Sequence, residues 1–318
     1  MAFPCADNID LQIIRLLVRD CRNPYSKIAS IVGMTPNAVK ERVNKMVSNG
    51  TIRSFVLRIN PTVLGYEKGC ILIIRDIDKT AKEQDIINKI NLIGDIHTYA
   101  KELGRASLFL LAVRAGAEDK IVILTDMLKP AAVESIFVSY RPLTMEIRNS
   151  DLQIIKCLLS DPRMLVEDIA KETSLSPKTI SRRLEKMGEN HILDFTILRN
   201  LSSMQLVGYI EFVLVINIQA AYHQNIIERI YNEMQEHLLI VQDTYQKEVI
   251  FAVFLCANIP TVDLILKKLE SCDGVNKVEV FITTSLIYYQ EWLMREIEKK
   301  IKDLLSSLSQ EVTTTKNA

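Results

Sequence analysis

Residues 26–43 read SKIASIVGMTPNAVKERV, and residues 167–184 read EDIAKETSLSPKTISRRL. The two stretches share an Ile-Ala pair (Ile28-Ala29, Ile169-Ala170) and a hydroxyl residue before proline (Thr35-Pro36, Ser176-Pro177). In each, the hydroxyl residue caps a helix whose first position is Pro, where a missing N–H costs nothing because that donor has no partner in the helix anyway. In the first stretch, a helix over 26–32 stops at Gly33, the residue that most easily takes the left-handed conformation. Upstream, Ile9, Ile13, Leu16 and Leu17 recur at helical spacing behind Asp7 and Asn8, two good capping types. Three helices with a tight turn before the third predict a helix-turn-helix. In its third helix Val39, Val43 and Met46 form the buried stripe, matched by Ile180, Leu184 and Met187. Asn37, Glu41, Asn44 and Lys45, with Lys40 at one edge, fall on the opposite face; in the second copy it is Lys178, Arg182, Glu185 and Lys186 with Ser181. Arg42 and Arg183 lie on the other flank. That flank admits two readings, a phosphate contact or an ion pair with an acidic neighbour.

Working outward, residues 9–60 align with 150–201 at a constant offset of 141. Asp10-Leu11-Gln12-Ile13-Ile14 becomes Asp151-Leu152-Gln153-Ile154-Ile155, and Leu57-Arg58 becomes Leu198-Arg199. Strand-like runs at 51–60 and 192–200 follow each third helix, which implies a winged layout. What comes next also repeats, from Gly65-Tyr66 and Gly208-Tyr209, with Thr-Tyr-x-Lys-Glu at 98–102 and 244–248. Its element order is strand, helix, two strands, helix, strand: 69–75, 82–92, 95–102, 106–114, 118–128 and 133–140, then 209–218, 223–236, 238–246, 248–256, 260–271 and 275–282. This is the order of a ferredoxin-like βαββαβ unit. Its strands are apolar on both faces, so the face without helices must be covered by another sheet of the same kind, from this chain or a second one. The expected class is α+β: two winged helix-turn-helix domains (1–62, 148–202) alternating with two βαββαβ domains (63–147, 203–288). A C-terminal helix over 288–309, with Leu293, Ile297, Ile301, Leu304 and Leu308 on one stripe, completes 289–318. It is expected to pack on the βαββαβ units, with the tail from Val312 disordered.

The 318 residues hold 48% hydrophobic and 25% charged side chains, a composition that excludes a disordered chain. Basic and acidic residues total 39 each, yet the balance is uneven along the chain. Residues 7–60 carry 9 basic and 4 acidic groups, net +5, and 148–200 carry 9 and 8, net +1. The βαββαβ segments are acidic, at −1 for 61–147 and −5 for 201–288. Copy one therefore has the electrostatic footprint of a DNA-binding module. No apolar run suffices for a membrane span, which places the chain in the cytoplasm. Cys5, Cys21, Cys70, Cys157, Cys256 and Cys272 form no C-x-x-C pair and read as buried structural thiols. No P-loop, nucleophile elbow, dinucleotide fingerprint or metal spacing is present, and no cofactor is expected.

Asp10-x-x-Ile13 with Leu16, Ile28-Ala29, Val39-x-x-Arg42-Val43, Gly50-Thr51-Ile52 and Gly65-Tyr66 occur in this order. Copy two adds Asp151, Ile169-Ala170 and Ile180-x-x-Arg183-Leu184. This set resembles the Lrp/AsnC, or feast/famine, family of transcriptional regulators, over about 280 residues as two tandem copies. The resemblance implies sequence-specific binding of double-stranded DNA and association through the βαββαβ domains, within one chain or between chains. It implies no enzyme activity. The implied DNA-facing residues are Asn37, Lys40, Glu41, Arg42, Asn44 and Lys45, with Lys178, Ser181, Arg182, Arg183 and Lys186. Half-sites about 34 Å apart, or a multiple, are expected. The family's effector site has a Gly-x-x-Asp-like stretch between the second and third strands. Here Glu102, Leu103, Gly104, Arg105, Ala106 and Ser107 occupy it without an Asp, and copy two shortens it to Glu248-Val249. Two other readings fit parts of the chain. The arrangement also resembles the sirohaem decarboxylases, with His97 in Asp95-Ile96-His97-Thr98-Tyr99 loosely like their His-x-Tyr segment, although copy two has Asp243 there. Alternatively, the helix-turn-helix units serve assembly and bind no DNA.

Overall fold

The computed structural model describes residues 8–77, 82–206 and 208–316; the expected cap Asp7 and Cys5 lie outside these. The first helical unit comprises α1 (Asn8–Arg19), α2 (Tyr25–Val32) and α3 (Pro36–Ser48), followed by β1 (Ile52–Ile59). The second comprises α6 (Asn149–Ser160), α7 (Val166–Thr173) and α8 (Pro177–Glu189), followed by β6 (Leu193–Arg199). Between them lie β2 (Lys68–Arg75), α4 (Glu83–Ile90), β3 (Gly94–Glu102), β4 (Ser107–Val113), α5 (Ala117–Met127) and β5 (Ala132–Ser139). A short helix α9 (Leu201–Leu206) then leads to β7 (Ile210–Ile218), α10 (His223–Met234), β8 (Leu238–Gln242), β9 (Val249–Cys256), α11 (Ile259–Glu270), β10 (Val275–Tyr288) and α12 (Glu291–Lys316).

The α+β class and the βαββαβ order are as read, but the wings differ. Each helical unit contributes one strand, and β1 pairs antiparallel with β6 of the other unit to make a shared ribbon. Phe55 faces Ile197 and Val56 faces Thr196. Phe55 and Thr196 are equivalents at the 141-residue offset, as are Val56 and Ile197, so the ladder maps onto itself when the copies exchange. Each strand also enters the other unit's core: Ile197 packs with Leu17, Val39 and Met46, while Leu57 and Ile59 pack with Leu152, Ile155 and Met187. The Thr196 hydroxyl donates to the Val18 carbonyl at 2.8 Å, which ties the ribbon to α1.

The two βαββαβ units join edge to edge in one eight-stranded sheet, ordered β5-β2-β4-β3-β10-β7-β9-β8. Here β10 runs six residues past the expected end at 282, pairing first with β7 and then, from Thr283 to Tyr288, with β3. The sheet curls back on itself. Ile71, Ile73 and Ile136 of the first unit share a buried cluster with Val213, Val215 and Phe251 of the second, so one unit covers the other's bare face as expected. At the far edges Val138 bridges Thr244, and the Ser139 amide donates to the Asp243 carbonyl at 2.7 Å.

Of two expectations about α12, one holds in part and one fails. Trp292, Leu293 and Ile297 pack with Leu152, Ile155 and Leu158 of the second helical unit, which was not foreseen. Arg295 pairs with Asp95, Glu296 with Arg114, and Trp292 meets Tyr66 and His97 edge-on, so α12 docks on the first βαββαβ unit as well. The helix also continues to Lys316 where a disordered tail was expected from Val312; the side chain of Leu308 lies outside the described residues. Among the described residues no helix is long and apolar enough to cross a membrane.

Candidate nucleic-acid interface

The turn before each third helix forms by the means the sequence implies. Gly33 closes α2 at φ 69°, and Ser174, its equivalent, takes φ 56° after α7. Thr35 accepts from the Ala38 amide and Ser176 from the Thr179 amide, each at 3.2 Å, with proline at the first turn. The apolar stripe is buried in both helices, except that Leu184 is only half-buried.

The opposite face is open. Asn37, Lys40, Glu41, Asn44 and Lys45 are exposed along α3, as are Lys178, Ser181, Arg182 and Lys186 along α8. Among the described residues none of these cations is in an ion pair, so their charge is directed at solvent. The exposed N-terminal halves of these helices are the parts that reach base edges when such a helix enters a major groove.

Arg42 and Arg183 do not belong to that face. Arg42 donates to Asp10 at 2.8 Å. Arg183 is buried and grips both carboxylate oxygens of Asp151, itself wholly buried; its Nε reaches Asp151 Oδ1 at 2.5 Å. The carboxylate raises the Arg183 guanidinium above its ordinary value. The two pairs are equivalents at offset 141, and both strut the third helix against the first.

The expected effector segment is a hairpin pressed on β10. The Leu103 amide donates to the Ile282 carbonyl at 2.7 Å, and Gly104 turns at φ 96°. Leu103 and Arg105 point outward, while Glu102 and Ser107 are buried. Thr283 donates to Glu102 Oε1 at 3.2 Å; Oε2 is buried without a hydrogen-bond partner. Burial, opposed by the Thr283 bond and aided by nearby Glu211, pushes the Glu102 carboxyl up to about 8.

His97 is buried with both ring nitrogens engaged, Nε2 with the Tyr288 hydroxyl at 2.9 Å and Nδ1 with the Thr98 hydroxyl at 3.0 Å. Desolvation, then the charge of Arg58, lowers it to about 3, so the ring is neutral at pH 7. Cys21, Cys70, Cys256 and Cys272 are buried free thiols and Cys157 is partly so; desolvation raises them all. Among the described residues no cluster of three or more His, Cys, Asp or Glu side chains is placed to hold a metal ion.

Two capped readers with exposed recognition faces, joined by a shared ribbon above a curled βαββαβ sheet, define a tandem helix-turn-helix protein. A family model described as an AsnC-type helix-turn-helix domain matches residues 7–47, and one described as winged helix-turn-helix DNA-binding matches 147–194. The regulatory protein AsnC of Haemophilus influenzae is 32% identical over 105 residues, 33% of this chain and 69% of that protein. An uncharacterized helix-turn-helix-type transcriptional regulator of Pyrococcus furiosus is 32% identical over 104 residues, again 33% and 69%. The chain belongs to the Lrp/AsnC family of helix-turn-helix transcriptional regulators. Over its full length the fold resembles the crystal structure of the sirohaem decarboxylase NirDL, with a TM-score of 0.54 and 16% identity, covering 95% of this chain and all of that one.

Proposed function

We propose that this chain is a cytoplasmic, non-enzymatic regulator that reads a two-part DNA operator as a pair of readers within one polypeptide. The observation that carries the reading is the exposure of an unpaired basic face on both α3 and α8, in two units related by the exchange symmetry of the β1–β6 ribbon. Lys40, Lys45, Lys178, Arg182 and Lys186 then face phosphates. Asn37, Glu41, Asn44 and Ser181 face base edges, with Asn to adenine the natural pairing for Asn37. The net +5 of copy one against +1 of copy two makes the first reader the main source of non-specific affinity. A small-molecule effector at residues 102–107 has one buried anchor, the unpartnered Oε2 of Glu102.

The test is selection of a bound sequence from a random DNA pool, followed by anisotropy titrations across salt. Lys40→Ala and Lys45→Ala are expected to weaken all sequences alike and to flatten the salt slope by about one each. Asn37→Ala is expected to lose discrimination at one position, at a cost of about 1–3 kcal/mol. Failure to select any sequence, with weak binding throughout, would transfer the assignment to assembly or to tetrapyrrole chemistry.

The full-length likeness to NirDL supports a second reading, decarboxylation of a tetrapyrrole. Against it, both His97 nitrogens are already engaged by the Tyr288 and Thr98 hydroxyls, and burial lowers its pKa, which disfavours the imidazolium form. A Soret shift on adding an iron-uroporphyrin would favour this second reading.

A further inference from the structure

Between the β1–β6 ribbon and the inner face of the sheet lies a cavity of about 380 Å³. Interiors are packed with few voids larger than a water molecule, and this volume falls within the range of small-molecule sites. Its floor is apolar, with Ile71, Leu108, Val213 and Phe251 from both sheet units; Val56 and Ile197 of the ribbon and Val18 of α1 form the roof. The lining also carries charged side chains, two of them buried. Arg58 pairs with Asp194, and Arg199 pairs with Glu211 at 2.7 Å, so each of those cations is matched. Arg19, in the last turn of α1, also lines the cavity, is exposed, and has no ion pair among the described residues. Three cations against two anions leave the lining at +1, with the surplus at Arg19.

We infer that this cavity binds an amphipathic monoanion, its apolar body against the sheet face and its carboxylate or sulfonate at Arg19. A cation of the same shape would meet Arg19 with like charge, and a neutral analogue would leave it unmatched. The inference does not rest on the DNA reading, because the site is built from sheet, ribbon and α1 side chains and uses none of the exposed face of α3 or α8.

The full chain is titrated with anilinonaphthalene sulfonate, an apolar aromatic monoanion, then challenged with decanoate or decylammonium. Decanoate is expected to displace the dye and raise Tm, with decylammonium at least tenfold weaker. Arg19→Gln, at an exposed position, is expected to fold normally and to lose about tenfold in decanoate affinity. Ala100→Leu narrows the cavity from its floor and is expected to weaken dye and decanoate together. Equal potency of decanoate and decylammonium, or an Arg19→Gln variant that binds decanoate undiminished, overturns the anion pairing. Dye and decanoate affinities unchanged by Ala100→Leu would place both ligands on the surface and overturn the site.

Discussion

At the scale of single residues, the repeated Asp–Arg pairs show how one motif serves two environments. Arg183 and Asp151 are 6% and 0% exposed, whereas Arg42 and Asp10 are partly open to water. Removing one partner of a buried pair strands a charge without solvent, at about 3–5 kcal/mol, while a solvated pair contributes at most about 1 kcal/mol. Arg183→Ala is therefore expected to lower the urea midpoint far more than Arg42→Ala, and neither is expected to alter the salt slope of DNA binding. Equal destabilisation by the two would sink the distinction. Glu102 yields a pH prediction. Its carboxyl titrates near 4.5 when unfolded and near 8 in the fold. Between those values the unfolded chain has released a proton that the native state keeps, so stability falls as pH rises through that window. In urea titrations from pH 4.5 to 8.5, Glu102→Gln is expected to match the parent at the acid end and exceed it at the alkaline end. Parallel profiles would show that this carboxyl does not titrate as its burial implies.

At the scale of elements, the left-handed position before each third helix separates the two copies. Gly33 takes it without steric cost, but Ser174 has a Cβ and pays about 1 kcal/mol for the same backbone. Ser174→Gly is expected to raise stability slightly and Gly33→Ala to lower it by about 1 kcal/mol or more, read from urea midpoints; a neutral Gly33→Ala would contradict the capping argument. Helices and their caps were readable because 3.6-residue periodicity and Thr-Pro or Ser-Pro signals are local. The partners of β1 and β6 were not, because alternation shows which face of a strand is buried and nothing of the strand beside it, here some 140 residues away. The same limit hid the docking of α12 on α6. Arg42 and Arg183 lay at the flank of the helical wheel, where 100° per residue cannot separate a phosphate contact from a strut to α1. The residues on the outer faces of the third helices needed only the wheel, and all ten it put there, Glu185 included, are exposed.

At the scale of the whole molecule, the two halves of the chain are joined both at the helical units and at the sheets. The ribbon joins reader to reader, and β3–β10 on one side with Val138–Thr244 on the other joins sheet to sheet. The second seam is only a bridge with flanking hydrogen bonds, so the symmetry is broken most where β10 is longest. Linking two readers converts the second contact into an intramolecular event, worth about 10²–10⁴ in affinity when the geometry permits both. A duplex with both half-sites is therefore expected to bind one chain, and to lose two or more orders of magnitude when either half-site is scrambled. The residual binding should be stronger, and steeper in salt, when the half-site of the +5 reader is kept. Sedimentation of the protein–DNA complex measures the first point and anisotropy titrations the second. Two chains on one duplex, with scrambling of a half-site costing only about twofold, would mean that the ribbon joins the readers without coupling them.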